Sequence, residues 1–488
     1  MTEPFSTPLL LIGILGTAGA ALPLLGIARR DRGSHLYAAI ALGALAASLA
    51  LVGYQVISGV AGPPAALPDG VLADDAFGAV LAAAMIIVAL ISTAGSIEYM
   101  RKRSAPAVYY SLILLATVGM VLVVYSADLV MLFVAWELMS IPTYVLVGFN
   151  KRNPGSNEAA LKYFLFGALA SAVIVYAISL AYGLTGSTNI GEVVAGFAAL
   201  DISMVPLALL SVGLFIAGFG FKMGLVPFHQ WLPDAYEGAP APVAALLAAA
   251  TKKAGFAAAI RVVVMGMISL SVDWTLALGV LAVMTMTVGN VAAIMQRSVS
   301  RMLAYSSIGH AGYILVGLAV APHSQLGMQG AIYHIFNHAV MKGAAFVAVA
   351  GMVVALAATH MDKLAGLGRK MPVTSLGFVL SLFALAGIPP LSGFWSKLVL
   401  FEGAIDAGSS LWWAPWLAIA GVLNSALSLA YYGWITRRMY FEGEREKRIA
   451  EPRSIAAVMI AASVFLVAFG IYPEPLLGLA SSAAPLIP

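Results

Sequence analysis

The chain has 488 residues, of which 61% are hydrophobic and only 10% are charged, and its formal net charge is +4. A soluble chain of this length would carry about 25% charged residues. This chain therefore cannot cover a water-facing surface and must lie in lipid. The absence of cysteine excludes disulfides, thiolate iron–sulfur ligation and Cys-type zinc sites from this chain. The positive balance does not indicate nucleic-acid binding, because most basic residues follow the topology described below.

Fourteen apolar runs approach the length of about 20 residues that a bilayer span needs. The first is followed by Arg29, whereas a cleavable signal peptide carries its positive charge before a shorter apolar core, so we interpret this run as the first helix. The sequence thus predicts an all-α, polytopic membrane protein. The predicted spans are 9–28, 36–58, 77–97, 106–125, 129–149, 159–184, 204–232, 242–268, 274–295, 302–321, 328–358, 373–401, 411–436 and 454–473.

The seventh and twelfth spans are overlong and have Gly and Pro inside them, around Lys222 and Lys397. Because Pro removes a backbone donor and clashes with the preceding turn, both helices should break at membrane depth. Broken helices at corresponding positions are typical of inverted repeats in transporters. We therefore expect two inverted five-helix repeats, spans 4–8 and 9–13. The predicted divisions are 1–105 for the N-terminal helices, 106–268 and 269–436 for the two repeats, and 437–488 for a basic loop and helix 14.

Basic residues are confined to one set of loops. Lys and Arg cluster after odd-numbered spans, as at Arg29, Arg101 and Arg437, whereas loops after even-numbered spans carry acids such as Asp75 and Glu192 and no Lys or Arg. By the positive-inside rule the basic loops are cytoplasmic. This predicts a multi-pass protein of the cell membrane with both termini on the extracytoplasmic side.

Several ionisable residues fall inside predicted spans, where a charge costs roughly 2.5–3.5 kcal/mol on insertion scales. Some could reach the membrane surface or merely hold helices together, and this alternative is open above all for Arg261, Lys253 and His334. Several together indicate an internal polar path. The residues are Glu137, Lys162, Lys222, His229, Lys252, Lys253, Arg261, His310, His334, His338, Lys342 and Lys397.

Such a path is suited to protons, because lysine, glutamate and histidine can gain and lose them. A buried lysine can release its proton near neutral pH only if desolvation makes this possible. With an effective dielectric of about 20, a carboxylate contributes ~3 kcal/mol at ~5 Å from an ammonium but only ~1.7 at ~10 Å. Moving the carboxylate away from the ammonium would therefore drive the lysine's proton onward. We expect Glu137 and Lys222 to form this switch, with His229 as a bridge to Lys252. The chain has no nucleotide-binding P-loop, and we do not expect His334 and His338 to bind haem.

Three motifs resemble the antiporter-like membrane subunits of respiratory complex I, above all its N-type subunit: VAWELMSIPTYVLVGF, EAALKYFLFGALASA and FGFKMGLVPFHQWLPDAYEGAPAPVAALLAAATKKAGF. The resemblance implies a proton-translocating subunit of a quinone oxidoreductase that carries no cofactor or metal itself. It implies quinone, flavin and iron–sulfur clusters in partner subunits, which would be M-type, K-type and A/J-type membrane neighbours and a peripheral redox arm. The implied site residues are Glu137, Lys162, Lys222, His229, Lys252, His338, Lys342 and Lys397.

One segment departs from the N-type pattern. The run YHIFNHAVMKGAAF, which contains His338 and Lys342, is more similar to M-type, L-type and antiporter subunits. This admits archaeal deazaflavin- or ferredoxin-linked oxidoreductases as relatives. The alternative functions are a subunit of a cation/proton antiporter or of a membrane-bound hydrogenase. A passive scaffold, whose buried charges only fix helix packing, is a third class.

Overall fold

The structure is a computed structural model that describes residues 6–29, 33–58, 65–66, 70–356, 360–443 and 448–484. In these ranges the protein is almost entirely helical, and a short antiparallel pair, β1 (Ala65–Ala66) with β2 (Ala73–Asp74), is the one sheet. The first ten helices are α1 (Thr7–Ala28), α2 (Ser34–Ser58), α3 (Ala76–Met100), α4 (Pro106–Tyr125), α5 (Leu129–Val147), α6 (Pro154–Thr185), α7 (Ile190–Ala198), α8 (Val205–Met223), α9 (Leu232–Gly238) and α10 (Ala241–Leu246). The others are α11 (Lys252–Ala259), α12 (Ser271–Ile294), α13 (Val299–Val320), α14 (Gln325–Leu356), α15 (Leu367–Lys370), α16 (Pro372–Ala386), α17 (Ser392–Asp406), α18 (Ala414–Phe441), α19 (Arg453–Ile471) and α20 (Glu474–Ala483).

The predicted all-α membrane fold is confirmed. Within the described ranges, 13 helical segments are long and apolar enough to cross a membrane. The short apolar helix α16 and its successor α17 supply a further span in two halves. The hydropathy did not predict four short helices, α7, α9, α15 and α20, which lie between or beyond the predicted spans. The predicted division into four parts and the inverted relation of the two repeats stay predictions.

The seventh predicted span breaks after Lys222. Helix α8 ends at Met223, and Gly224 adopts a left-handed conformation with φ +68° that favours glycine. Backbone groups freed at the break find side-chain partners. The Val226 amide donates to Thr285 Oγ1 at 3.1 Å, and Trp231 Nε1 donates to the Phe221 carbonyl at 3.1 Å. The prediction of a broken helix at this position is confirmed.

The twelfth predicted span breaks in the same way between α16 and α17. Gly387, with φ +85°, ends α16. Lys397 Nζ donates to the Ala386 carbonyl at 3.1 Å, and Asn337 Nδ2 donates to the Ser392 carbonyl at 3.2 Å. A predicted proton carrier thus also satisfies a carbonyl that the break leaves free.

Helix α11 is flanked by two π-helical turns, Leu247–Thr251 and Ile260–Met265. Single π turns are rare and are often found at functional sites, since each changes the direction of the side chains that follow. Lys252 and Lys253 come directly after the first of them and are both fully buried.

The second π turn contains Arg261, whose alternative roles the sequence left open. Its guanidinium pairs with both carboxylate oxygens of Asp75 at 2.8 Å and donates to the Val124 carbonyl at 2.9 and 2.8 Å. Both charged side chains are almost fully buried. Arg261 therefore links the second π turn, directly after α11, to the start of α3 and the end of α4. We assign it a structural role.

Removing this pair gives a test of stability. Arg261→Met leaves the Asp75 carboxylate buried and uncompensated, which should destabilise the fold by about 3–5 kcal/mol. The double variant Arg261→Met/Asp75→Asn removes both charges and keeps the cap that Asp75 provides to the Gly78 amide. It should regain most of the loss. Thermal unfolding in detergent measures both, and equal destabilisation of the single and double variants would contradict this account.

Candidate functional site

Lys222 lies in the last turn of α8, where it is nearly fully buried. Its Nζ donates to Ser140 Oγ at 2.9 Å and to the Tyr163 hydroxyl at 2.8 Å. Glu137 lies one turn before Ser140 on α5, on the same helix face, and accepts a hydrogen bond from Ser171 on α6. Among the described residues, Glu137 and Lys222 form no ion pair within 4.0 Å, although the carboxylate acts on the lysine electrostatically.

Aromatic rings surround the Lys222 ammonium. Its Nζ lies 5.0 Å from the ring centre of Tyr163, 5.6 Å from that of Tyr144 and 5.9 Å from that of Trp136. Ring faces attract a cation through their quadrupole. The rings therefore support a charged lysine that has no carboxylate bound to it.

Lys252 lies directly behind the break of α8. A Cβ atom on Gly224 would lie 3.0 Å from Lys252 Nζ, so the Lys252 ammonium packs close to the backbone of the break. The same Nζ donates to the Ser307 carbonyl of α13 at 3.0 Å. His229, half-buried in the turn after the break, lies within electrostatic reach of Lys252.

Lys342 contacts Ser306, the residue before Ser307 on α13. Its Nζ donates to Ser306 Oγ at 2.7 Å and to the Leu303 carbonyl at 3.3 Å, and Ser306 also hydrogen-bonds the Tyr432 hydroxyl of α18. Because Ser306 and Ser307 are adjacent, Lys342 and Lys252 converge on one turn of α13 from different helices.

Three buried imidazoles continue from this turn. His310 Nδ1 lies 3.0 Å from His334 Nε2, and the ring centres of His310 and His338 are 4.8 Å apart. His334 Nδ1 in turn lies 2.9 Å from Ser396 Oγ on α17. The close approach of α14 to α17 depends on Gly330, where a Cβ would lie 2.7 Å from the Leu400 amide nitrogen.

Lys397 follows Ser396 and ends the row of buried groups. Its Nζ donates to Ser425 Oγ at 3.1 Å, in addition to its bond to the Ala386 carbonyl, and lies 4.5 Å from the Tyr313 ring centre. We call the set from Glu137 through Lys222, Lys252, Lys342 and the histidines to Lys397 the polar axis.

Helix α13 contacts several members of the polar axis with one of its faces. Ser306, His310 and Tyr313 are spaced four and three residues apart and therefore share one helix face. They contact Lys342, two other histidines and Lys397 in that order. The candidate list of eight residues did not include these three, although their helical spacing in the tenth predicted span is a signal that could have identified them.

The sequence left open whether Lys253 reaches the membrane surface, holds helices together or belongs to the polar path. In the structure its side chain lies deep in the protein. It is fully buried, and its Nζ has no hydrogen-bond partner among the described residues. It is the charged group that acts most strongly on His338, whose two ring nitrogens also lack partners in the described part of the chain. Lys253 therefore belongs beside the polar axis and does not reach the membrane surface.

Lys162 does not join the polar axis. Its side chain is 40% exposed and pairs with Glu158 at 2.7 Å and Asp234 at 2.8 Å. Arg301 binds the other oxygen of Asp234 at 2.7 Å and also Glu237 at 3.1 Å. Burial alone would raise the pKa of Asp234, but hydrogen bonds from Lys162 and Arg301 outweigh it and hold the pKa below its ordinary value. This ionic cluster links α6, α9 and α13 at one end of the bundle.

The described residues contain no group of three or more His, Cys, Asp or Glu side chains that could hold a metal ion. What they contain instead is a row of exchangeable hydroxyls, imidazoles and ammonium groups that passes both helix breaks. A polytopic bundle with such an interior has the structure of an ion-translocating membrane protein. The chain belongs to the family of transmembrane proteins described as NADH:quinone oxidoreductase/Mrp antiporter, whose profile matches residues 126–428.

Relatives of known name are similar over most of their length. The chain is 43% identical over 411 residues to F(420)H(2) dehydrogenase subunit N of Methanosarcina mazei, which covers 82% of this chain and 81% of that one. It is 38% identical over 442 residues to NADH-quinone oxidoreductase subunit N of Trichlorobacter lovleyi, covering 89% and 88%. A chain of respiratory complex I from Thermus thermophilus shares the fold with a TM-score of 0.80 and 32% identity, covering 96% of this chain and 99% of that one.

Proposed function

We propose that this chain is the N-type antiporter-like subunit of a redox-driven proton pump related to complex I. Its similarity to N subunits of two different dehydrogenases supports the role in an oxidoreductase complex. The observation that carries the proposal is the polar axis, which passes through the interior of the chain from Glu137 on α5 to Lys397 on α17. Buried ionisable groups in a membrane are costly and mark ion paths.

In this proposal the proton moves along the polar axis in steps from one ionisable group to the next. Displacement of the Glu137 carboxylate, held by Ser171, changes the Coulomb stabilisation of Lys222 and drives its proton onward. Lys252, with His229 beside it, passes the proton to the α13 turn that Lys342 shares. His338, with His310 and His334, connects this turn to Lys397.

Lys397 is the release group in this proposal, and the proton leaves on the extracytoplasmic side. Lys162 lies in the ionic cluster at the opposite, cytoplasmic end of the bundle, where protons are taken up. This direction rests on the distribution of basic loops, with both termini outside the cell membrane.

The chain acts with partners. Its lack of cysteine supports the proposal that quinone, flavin and iron–sulfur chemistry takes place in other subunits. We propose M-type, K-type and A/J-type membrane neighbours and a peripheral redox arm. Energy reaches the polar axis through these neighbours, because in this proposal electron transfer takes place outside this chain.

Glu137→Gln tests the proposed switch. The change removes a Coulomb stabilisation of about 3 kcal/mol at ~5 Å, which corresponds to about 100-fold in proton affinity at Lys222. Proton uptake by vesicles that contain the assembled complex should fall sharply, and coupled turnover should fall with it. Glu192→Gln removes a carboxylate from a surface helix and is the matched control. Normal pumping by an assembled Glu137→Gln complex would exclude the switch.

Lys397→Arg tests proton release. Arginine keeps the positive charge but does not deprotonate in proteins, so the number of protons moved per electron should drop while the complex still assembles. Lys397→Glu should be milder, because a carboxylate titrates. Lys151→Arg, in an exposed loop, is the control. If arginine supported the same proton-to-electron ratio as lysine, Lys397 would be an electrostatic support and not a carrier.

A further inference from the structure

Lys342 is fully buried, and no carboxylate lies within 4.0 Å of its ammonium among the described residues. The charged groups that act on it most strongly are Lys252 and Lys397, and both are basic. In the described part of the chain, no acid has the place at Lys342 that Glu137 has at Lys222. A buried ammonium without a carboxylate needs hydrogen-bond acceptors to remain charged.

The two hydrogen-bond partners of Lys342 differ in what they can do. The Leu303 carbonyl only accepts, whereas the Ser306 hydroxyl can accept or donate. If Ser306 donates its hydrogen elsewhere, it turns a lone pair towards Lys342. A lone pair binds an ammonium, but it leaves a neutral amine without a donor. The direction of the Ser306 hydrogen therefore decides which form of Lys342 the site favours.

Three buried hydroxyls lead away from this contact. Ser306 hydrogen-bonds the Tyr432 hydroxyl of α18, and the Tyr431 hydroxyl is within hydrogen-bonding reach of both. The Tyr431 hydroxyl also lies 3.0 Å from Asn290 Oδ1 on α12. All four side chains are at most 4% exposed, so water does not compete for these bonds. We call Ser306, Tyr432 and Tyr431 the hydroxyl chain.

The surroundings of Asn290 fix the direction of the last bond. One terminal atom of its amide lies 3.0 Å from the Met286 carbonyl and 3.1 Å from Asn424 Oδ1. A backbone carbonyl only accepts, so this atom is the amide nitrogen, which donates. The other atom, Oδ1, faces Tyr431 and can only accept. Tyr431 therefore donates its hydrogen to Asn290.

Fixing the Tyr431 hydrogen aligns the rest of the hydroxyl chain. The Tyr431 oxygen is left as an acceptor for one of the other two hydroxyls. Either Ser306 donates to Tyr432 and Tyr432 to Tyr431, or Tyr432 donates to Ser306 and Ser306 to Tyr431. In both arrangements Ser306 turns a lone pair towards Lys342. Aligned hydrogen bonds polarise one another, which strengthens the contact with the ammonium.

We propose that Asn290 is a positioning residue for proton transfer at Lys342. By accepting the Tyr431 hydrogen, it aligns the hydroxyl chain away from Lys342 and favours the protonated lysine in the absence of a carboxylate. The chain itself is not a branch of the proton path, because the amide oxygen at its end has no proton to pass on. This inference rests on the proposed function, in which Lys342 gains and loses a proton.

The expected pH dependence follows from the groups around Lys342. The ionisable side chains that act on it, or share its hydrogen bonds, come from α11, α13, α14, α17 and α18, and none of them is a carboxylate. They are Lys252, Lys253, His310, His338, Lys397, Tyr431 and Tyr432. Loss of the aligned chain should therefore lower the proton affinity of Lys342. Pumping needs the protonated form, so it should be lost at a lower pH than in the unmodified complex.

The test is the number of protons moved per electron, measured as a function of pH in vesicles that contain the full chain with its native partners. Tyr431→Phe removes one hydroxyl and keeps the ring, and Asn290→Leu removes the acceptor. Each should move the alkaline limb of the profile to lower pH by about one unit, or tenfold in proton affinity. Asn290→Asp keeps an oxygen towards Tyr431, so its limb should stay in place or move to higher pH.

Two control variants separate this effect from packing. Asn424→Leu removes a partner of the Asn290 amide nitrogen and leaves the hydroxyl chain intact. Tyr176→Phe removes a hydroxyl from the exposed face of α6. Neither should move the alkaline limb. Co-purification of the partner subunits shows that each variant is assembled.

Lys342→Met separates this inference from the proposed function. Normal pumping by the assembled Lys342→Met complex would contradict proton transfer through Lys342, and the positioning role would fall with it. If Lys342→Met abolishes pumping while Tyr431→Phe and Asn290→Leu leave the alkaline limb unchanged, the proposed function stands and the positioning role is overturned. Lower activity without a shift of the limb would likewise show that Asn290 only holds helices together.

Discussion

The rest of this structure depends on one constraint, that a helix broken inside a bilayer must find partners for its free backbone groups within the protein. The break of α8 uses Trp231 and Thr285, and the break of α16 uses Lys397, whose ammonium binds the Ala386 carbonyl. Polar side chains from neighbouring helices must therefore come to both breaks. Lys397 belongs both to the partners of a break and to the polar axis, so one side chain serves the broken helix and the proposed proton path.

Helix α13 is the element that brings together most members of the polar axis. Its face offers a backbone carbonyl at Ser307, a hydroxyl at Ser306 and an imidazole at His310, and these groups contact lysines and histidines on α11 and α14. Hydrogen bonds to neutral groups stabilise each ammonium without fixing it in an ion pair. By contrast, Arg261 and Asp75 form a direct buried pair that holds helices together. Buried basic side chains in this protein are thus of two kinds, one held in direct contact with a carboxylate and one bound only to neutral groups.

Much of the fold could be predicted because the bilayer imposes length and polarity on every span. The breaks near Lys222 and Lys397 were also evident, since Gly and Pro interrupted overlong apolar runs. Hydropathy ended the thirteenth span at residue 436, whereas α18 continues to Phe441. The helix extends through basic residues whose charged ends reach water. The sequence could not show that His310 and His334 meet across 24 positions, or that Lys162 pairs with Asp234 outside the axis. Those facts depend on tertiary packing, which no local pattern contains.

The most direct test of the central claim is the proton-to-electron ratio of reconstituted complex with His310→Phe. Phenylalanine retains an aromatic ring beside Tyr313 and His334 but cannot accept or donate a proton. If the axis conducts through α13, the ratio should fall by the share that this subunit contributes, with assembly preserved. An unchanged ratio in the assembled complex would contradict the account, because the proton would then cross the chain without the middle of the polar axis.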